Sequence, residues 1–448
     1  MNINRLLFAI FGAILMGLFV LAIWHDYDRE WVWYQQGFSQ LEQAGGVVKS
    51  AGAPGTASSK SRSQSGGVKQ TVLDDLERVD RCETCHLGIA NPVFAGAPQP
   101  YTTHPGDYLQ HHPIEKFGCT SCHWGQGYAT TANAAHGDVK HWDEPMLRGA
   151  YIQASCGKCH YSVRQLPGAE VLARGQVLYR ELGCVGCHTL HGEGGPISVD
   201  LTEIGSKTAD ELDFTFVEGR RTVANWMYEH FLDPQKVTPG FSEQGIPPSV
   251  MPNYRMSPAE AEALTAYMMS LTKERLTREY IVPGESEPSP VYASSVDRGR
   301  AVFQKFGCVG CHNVDGRGGR KNWNAHTNGE VPSLVYVGRG YTREELKEKI
   351  RQGVPIVARR DPSGLTPPLY MPAWSEKIKG QDLEDLVDYL LSLIPAEMSA
   401  AAPAPSTTTQ ESSQPETPAP GAFRQADDLI DYLVRLMAFD EEVLPGRG

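Results

Sequence analysis

No cysteine in this chain of 448 residues stands outside a Cys-x-x-Cys-His unit. That argues against a conventional disulfide scaffold, whose cysteines need no histidine after them. It also disfavours a thioredoxin-like redox site, which needs only one such unit. No strong basic block runs through the chain, and the formal charge is −12, so sequence-wide nucleic-acid binding is not expected. No Ser-His-Asp, phosphate-loop or metalloprotease motif is present, and Gly316-Arg317-Gly318-Gly319 is a loop rather than a phosphate cradle. What is abundant is glycine and proline, 76 of 448 residues, about 17% against a typical ~12%, which points to a loop-rich protein with linkers. At roughly 100–200 residues per domain, the length predicts two to four domains.

The ten cysteines fall into five units: Cys82 and Cys85 with His86, Cys119 and Cys122 with His123, Cys156 and Cys159 with His160, Cys184 and Cys187 with His188, and Cys308 and Cys311 with His312. Composition alone would give roughly 0.01 such motifs in this length. Two thiols separated by two residues can form thioethers to the two vinyl groups of one haem, and the following histidine then lies under the iron. The motif is the signature of c-type haem attachment. Zinc is the competing chemistry, but Cys-x-x-Cys units pair into four-ligand sites, and five units cannot all pair. Five covalently attached haem c groups are the expectation.

Leu6 to Trp24 is an apolar run of 19 residues, long enough to span a bilayer as a helix. Arg5 precedes it; Asp26, Asp28 and Glu30, with Arg29, follow. The positive-inside rule favours an inner amino terminus and an outer body. Trp24, Tyr27, Trp31, Trp33 and Tyr34 resemble an interfacial aromatic belt. No small-x-small cleavage site ends the run, so an uncleaved anchor is favoured over a signal peptide. Residues 1–30 are therefore read as a transmembrane anchor with its interfacial segment. A single-pass protein of the cytoplasmic membrane, with haem domains on the periplasmic side, is expected.

Residues 44–70 are rich in Gly, Ser and Ala and read as a flexible linker. Residues 75–165 carry three motifs whose first cysteines are 37 and 37 residues apart. So little chain cannot build a separate core around each haem, so the haems must pack closely and supply much of the core. Two longer units follow, at 168–280 and 295–395. Gly175-Gln-Val-Leu-Tyr-Arg-Glu-Leu-Gly-Cys184 matches Gly299-Arg-Ala-Val-Phe-Gln-Lys-Phe-Gly-Cys308, and both run on as Cys-Val-Gly-Cys-His. Each unit ends in an amphipathic helix, Ser257 to Leu271 and Lys379 to Leu393, with apolar residues such as Leu383, Leu386, Val387, Leu390 and Leu391 at helical spacing. Ser257-Pro258-Ala259-Glu260 is a helix start. This is an internal duplication of one domain type. Residues 396–422 read as a disordered linker, and 423–445 as a short helix. Leu429-Ile430-Asp431-Tyr432-Leu433 echoes Leu386-Val387-Asp388-Tyr389-Leu390, and docking on a partner or folding back are both open. The expected fold is mainly α: an amino-terminal transmembrane helix, a loop-rich multihaem segment and two tandem domains.

Five irons need five distal ligands or open positions, and nine histidines lie outside the motifs. In the three-motif segment His104, His112, His136 and His141 rank above His111, and three would complete bis-His coordination. At least one is then not a ligand. Met146 is an alternative, since a thioether also binds haem iron. His191, His230 and His326 read as surface residues or propionate contacts, and Met268 and Met269 as core packing.

The two longer units resemble class I cytochrome c domains. The first carries Cys184-Val-Gly-Cys-His188, Gly195-Pro196 with Asp200-Leu201, Trp226 with Asp233-Pro234, and Met251-Pro252. The second carries Cys308-Val-Gly-Cys-His312, Pro332-Ser333-Leu334 and Tyr370-Met371-Pro372, and lacks the Gly-Pro stretch. The resemblance implies Met251 and Met371 as distal iron ligands. Arg29-Glu30-Trp31 with Tyr34-Gln35, His111-His112-Pro113-Ile114-Glu115-Lys116-Phe117-Gly118-Cys119, and His141-Trp142-Asp143-Glu144-Pro145-Met146-Leu147 resemble membrane-anchored multihaem cytochromes c of bacteria. That group is associated with cytochrome bc-type quinol-oxidising complexes. The implied function is electron transfer as a subunit of a respiratory or photosynthetic quinol-oxidising complex, with integral membrane subunits and a periplasmic carrier as partners. The alternatives are a cytochrome c subunit of a terminal oxidase, an independent tethered shuttle, or a multihaem reductase. Each iron has a distal candidate and no Cys-x-x-Cys-Lys variant occurs, so an electron-transfer protein is expected rather than an enzyme. Met/His ligation raises potential relative to bis-His, so three low-potential haems should feed two high-potential ones. Residues 168–275 hold 9 Lys and Arg against 15 Asp and Glu, a net of −6, and residues 297–394 hold 15 against 12, a net of +3. Arg317, Arg320, Lys321, Arg351, Arg359 and Arg360 are candidates for a positive face on the last domain.

Overall fold

The structure is a computed structural model that describes residues 3–43, 66–240, 248–284 and 290–394. The expected linkers at 44–70, apart from residues 66–70, and at 396–422, and the helix expected at 423–445, lie outside the described residues. The chain is mainly helical. Helix α1, Ile3–Tyr27, contains a 22-residue stretch, Ile3–Trp24, of mean hydropathy 2.9, long and apolar enough to cross a membrane. None of its apolar window is buried within the protein.

From sequence, residues 31–43 carry no expected element. They belong to a second helix, α2, Glu30–Gln43. It docks onto the segment that follows. Phe38 packs tilted against Phe94 and Tyr101 with ring centres 4.8 and 5.6 Å apart. The Gln35 amide donates to Gly67 O at 2.7 Å and accepts from Gly67 N at 3.1 Å. The Glu30 carboxylate accepts from Ala132 N at 3.2 Å. Only Trp33 of this helix's aromatics stays more than half exposed, with its Nε1 donating to Asp28 at 2.9 Å. The aromatic cluster read as an interfacial belt is therefore partly a packing surface.

Between residues 66 and 165 regular structure is sparse. Strands β1, Thr71–Leu73, and β2, Arg78–Asp80, pair antiparallel with Thr71 opposite Asp80 and Leu73 opposite Arg78. The rest is single helical turns and loops. Its own apolar core is small: Leu73 and Leu76 bury against Tyr280, which arrives from far along the chain. Trp124, Leu147 and Ala154 of this segment bury instead in the core of the unit that follows.

The two longer units have real cores. In the first, helices α3, Glu170–Glu181, α4, Val223–Leu232, and α5, Pro258–Ser270, pack around Leu178, Tyr179, Met227, Leu264, Met268 and Met269. In the second, α6, Ser295–Lys305, α7, Arg343–Gln352, and α8, Gly380–Ser392, pack around Phe303, Ile350, Trp374, Leu386, Val387 and Tyr389. Start signals act as expected. The Ser257 hydroxyl accepts from Glu260 N, the Glu260 carboxylate accepts from Ser257 N, and Pro258 takes the first turn.

The duplication is visible in how the helices cross. A Cβ on Gly175 of α3 would lie 2.0 Å from Ala263 O of α5, and one on Gly299 of α6 would lie 1.9 Å from Asp385 O of α8. The equivalent tyrosines, Tyr267 and Tyr389, flank the two crossings with Cβ atoms at 2.8 and 2.7 Å from those positions. Only glycine lets the backbones approach this closely. The second crossing adds a bidentate pair, Arg298 to the buried Asp385 at 2.7 and 2.9 Å. Gly175→Ala and Gly299→Ala should each cost about 1–3 kcal/mol by overpacking. Thermal unfolding followed by circular dichroism should show lower midpoints for both; a variant as stable as the parent would contradict the crossing.

Candidate haem sites

All ten cysteines are half-buried, and no two of them are joined in a disulfide. In four units the histidine amide returns to the first cysteine carbonyl: His86 to Cys82 at 3.0 Å, His123 to Cys119 at 2.9 Å, His160 to Cys156 at 2.9 Å and His188 to Cys184 at 3.0 Å. The fifth unit is itself one short helix, Cys308–His312. One closed turn thus presents two thiols and an imidazole at fixed spacing in every unit. Gly183 and Gly307, both at φ +72°, supply the left-handed residue that precedes the last two turns.

In the amino-terminal segment each motif histidine faces a second imidazole. His86 faces His136 with ring centres 6.4 Å apart, His123 faces His104 at 6.0 Å, and His160 faces His112 at 6.1 Å. A metal–imidazole bond of about 2 Å on each side, plus roughly 1 Å from each nitrogen to its ring centre, puts two axial imidazoles about 6 Å apart. The three pairs therefore fit one iron each. Among the described residues no three His, Cys, Asp or Glu side chains converge as a metal cluster. The donors come in twos, which suits axial ligation of a planar macrocycle rather than a tetrahedral ion.

Hydrogen bonds orient several of these rings. Nδ1 of His104 lies 2.8 Å from Pro105 O, and Nδ1 of His112 lies 3.2 Å from Tyr108 O. Nδ1 of His188 lies 2.8 Å from Val199 O, and Nδ1 of His312 lies 3.2 Å from Pro332 O. An Nδ1–H that donates to a carbonyl leaves Nε2 free as the ligand. Burial lowers the pKa of all five motif histidines. The facing imidazole lowers it further for His86, His123 and His160. The neutral ring this favours is the form that binds metal.

The remaining candidates sit elsewhere. His141 is exposed, at φ +62°, and is in none of the three pairs. His111 is exposed with Nε2 3.6 Å from an Asp107 oxygen. Met146 is half-buried, its amide donating to His136 O at 2.9 Å. Met251 is half-buried, its carbonyl accepting from the Gln235 amide at 2.6 Å. Met371 packs at the edge of the second core, its carbonyl accepting from Val354 N at 2.8 Å. Gly353, at φ +67°, makes room for that strand-like bridge. His191 and His326 are exposed. His230 is different from its surface reading. It stacks on Trp226 with ring centres 4.7 Å apart, and its Nδ1 is buried without a partner. Burial, then the nearby His188, pushes its pKa down to about 4. A histidine one helical turn beyond a tryptophan was the available signal.

Two charged features, unread in the sequence, fix the units. The buried Asp80 carboxylate accepts from the amides of Cys119 and Thr120 and from the Thr120 hydroxyl, so β2 holds the start of the second motif. Glu274, just after α5, accepts from Arg78 and Lys158, each at 2.8 Å. It ties the three-motif segment to the unit that follows.

Residues 172–272 and 296–393 each match the family model described as cytochrome c. No curated protein matches the chain. The chain carries two cytochrome c domains, whose class binds haem c covalently and transfers electrons.

The Glu274 triad gives a direct test. Its carboxyl pKa is held below 4.5 by Lys158 and Arg78, which together outweigh the opposing effect of burial. A depressed folded-state value stabilises the fold above the ordinary carboxylate range, and that contribution is lost as pH falls through the lower folded value. Glu274→Gln leaves two half-buried cations without their partner and should cost about 3 kcal/mol at neutral pH. The gap between variant and parent, read from denaturant midpoints, should close as pH falls below the ordinary carboxylate range; a constant gap would contradict the triad.

Proposed function

We propose that the chain binds five haem c groups, one at each Cys-x-x-Cys-His unit, and carries electrons along the outer face of a cytoplasmic membrane to which α1 anchors it. His86 with His136, His123 with His104, and His160 with His112 would each hold one iron; His188 with Met251 and His312 with Met371 would hold the other two, on the strength of the class I resemblance. The observation that carries this is the set of three imidazole pairs at one-iron spacing, each joining a motif histidine to a histidine outside any motif. Bound haem supplies reversible one-electron chemistry. The protein's own groups set its terms: neutral, carbonyl-oriented imidazoles as ligands and thiols as covalent anchors.

Bis-His ligation in the first three sites and His/Met ligation in the last two would order the potentials upward along the chain. Electrons would then enter near the membrane and leave from the carboxyl-terminal domain. The membrane-proximal source proposed is a quinol-oxidising complex, on the strength of the amino-terminal resemblance, with a periplasmic carrier as acceptor. The apolar stretch of α1, none of it buried within the protein, supports the anchor. The two cytochrome c domains support electron transfer.

Alanine variants test the ligand assignment. His136→Ala should convert one low-spin haem into a high-spin, carbon-monoxide-binding one, seen by electron paramagnetic resonance and absorbance. His141→Ala should leave every haem low-spin. A high-spin signal in His141→Ala, or none in His136→Ala, would contradict the pairing.

A further inference from the structure

The two cytochrome c domains meet at their motif turns. Gly183 and Gly307 occupy equivalent positions before the motif, and Gly186 and Gly310 equivalent positions inside it. A Cβ on Gly183 would lie 2.4 Å from Gly310 N, and one on Gly307 would lie 2.1 Å from Gly186 N. Gly310 and Gly186 return the contacts, at 2.4 Å to Gly183 O and 2.1 Å to Gly307 O. The equivalent Cys187 and Cys311 face each other with sulfurs 4.0 Å apart. Residue i meets j while j meets i, which is the pattern of a two-fold interface, here inside one chain.

One side chain breaks this symmetry. Arg320 of the second domain lays its guanidinium over Tyr254 of the first, 4.8 Å from the ring centre. With Leu182, two residues before the first motif, and Val309, inside the second, it lines a cavity of about 420 Å³. Its Nε is buried without a hydrogen-bond partner. Of the other charged groups lining this cavity, Asp315 pairs within the lining with Arg317 at 3.0 Å, and Glu181 pairs with Arg174, outside it, at 2.9 Å. Arginine suits such a place because it stays charged and stacks on an aromatic face. A positive charge in a low-dielectric junction favours the reduced state of a neighbouring one-electron centre, because reduction removes one positive charge there.

We infer that Arg320 is a shared potential-setting residue for the sites built on Cys184–His188 and Cys308–His312, raising both above what their axial ligands alone provide. This rests on the proposed haem at each of those units.

The experiment is a potentiometric titration of the full-length protein with Arg320→Met, Arg320→Lys and Tyr254→Leu variants. Arg320→Met should lower the two high potentials together and leave the three low ones in place, while Arg320→Lys keeps both near the parent. Tyr254→Leu removes the platform and should lower the same two by a smaller amount, which gives a second arm if Arg320→Met does not fold. No shift in either potential, or a shift confined to one, would overturn the inference. Haem content of the parent, counted as its pyridine haemochrome, tests the underlying reading separately. Fewer than five haems would sink that reading whatever the Arg320 variants do.

Discussion

Two imidazoles held about 6 Å apart, ring centre to ring centre, are the constraint on which the amino-terminal half depends. Residues 66–165 have few buried apolar side chains of their own, so something other than a hydrophobic core must define their shape. Three facing histidine pairs do so by joining stretches far apart in sequence: His86 to His136, His104 to His123, His112 to His160. The pairings interlace. The partner of the first motif's histidine lies beyond the second motif, and the partners of the second and third lie before it. With the proposed haems attached, a chain tied this way would be fixed at several points, which would account for how little helix and strand it holds.

The carboxyl-terminal half solves the same problem with ordinary packing. Each domain crosses its first and last helices at a glycine, and each has its own apolar core. The two then join through the glycines of their motif turns, which brings equivalent cysteines into contact. The Arg78–Glu274–Lys158 triad and the docking of Tyr280 against Leu73 and Leu76 link this half to the first. Asp80 does similar work locally, holding the amide end of the second motif against β2. The result is one continuous body carrying all five motif units within residues 1–395.

Much of this was legible in the residues, for physical reasons. A motif with two thiols and an imidazole encodes its chemistry in five consecutive positions. A capping box with Pro258 encodes a helix start, and the amphipathic spacing of Leu383 to Leu390 encodes a buried face. What was not legible is whatever depends on distant partners. His136 and His141 are five residues apart in similar loops, and only the turns at Gly137 and His141, both with positive φ, separate one that faces a motif imidazole from one that faces solvent. Glu274 is 196 residues from Arg78, and no local pattern announces the pair. Helix α2 was hidden by its position, since aromatics just after an apolar run read as an interfacial belt whether or not they also pack on the body.

The central claim is that this chain is a graded five-centre conductor, with imidazole pairs near the membrane and thioether ligands at the far end. Magnetic circular dichroism of the full-length protein, recorded across a potentiometric titration, tests it most directly. The account predicts five haems in two groups: three with bis-imidazole near-infrared bands at low potential, and two with methionine–iron bands at higher potential. A single narrow band of potentials, or a different division between imidazole and methionine ligation, would contradict it.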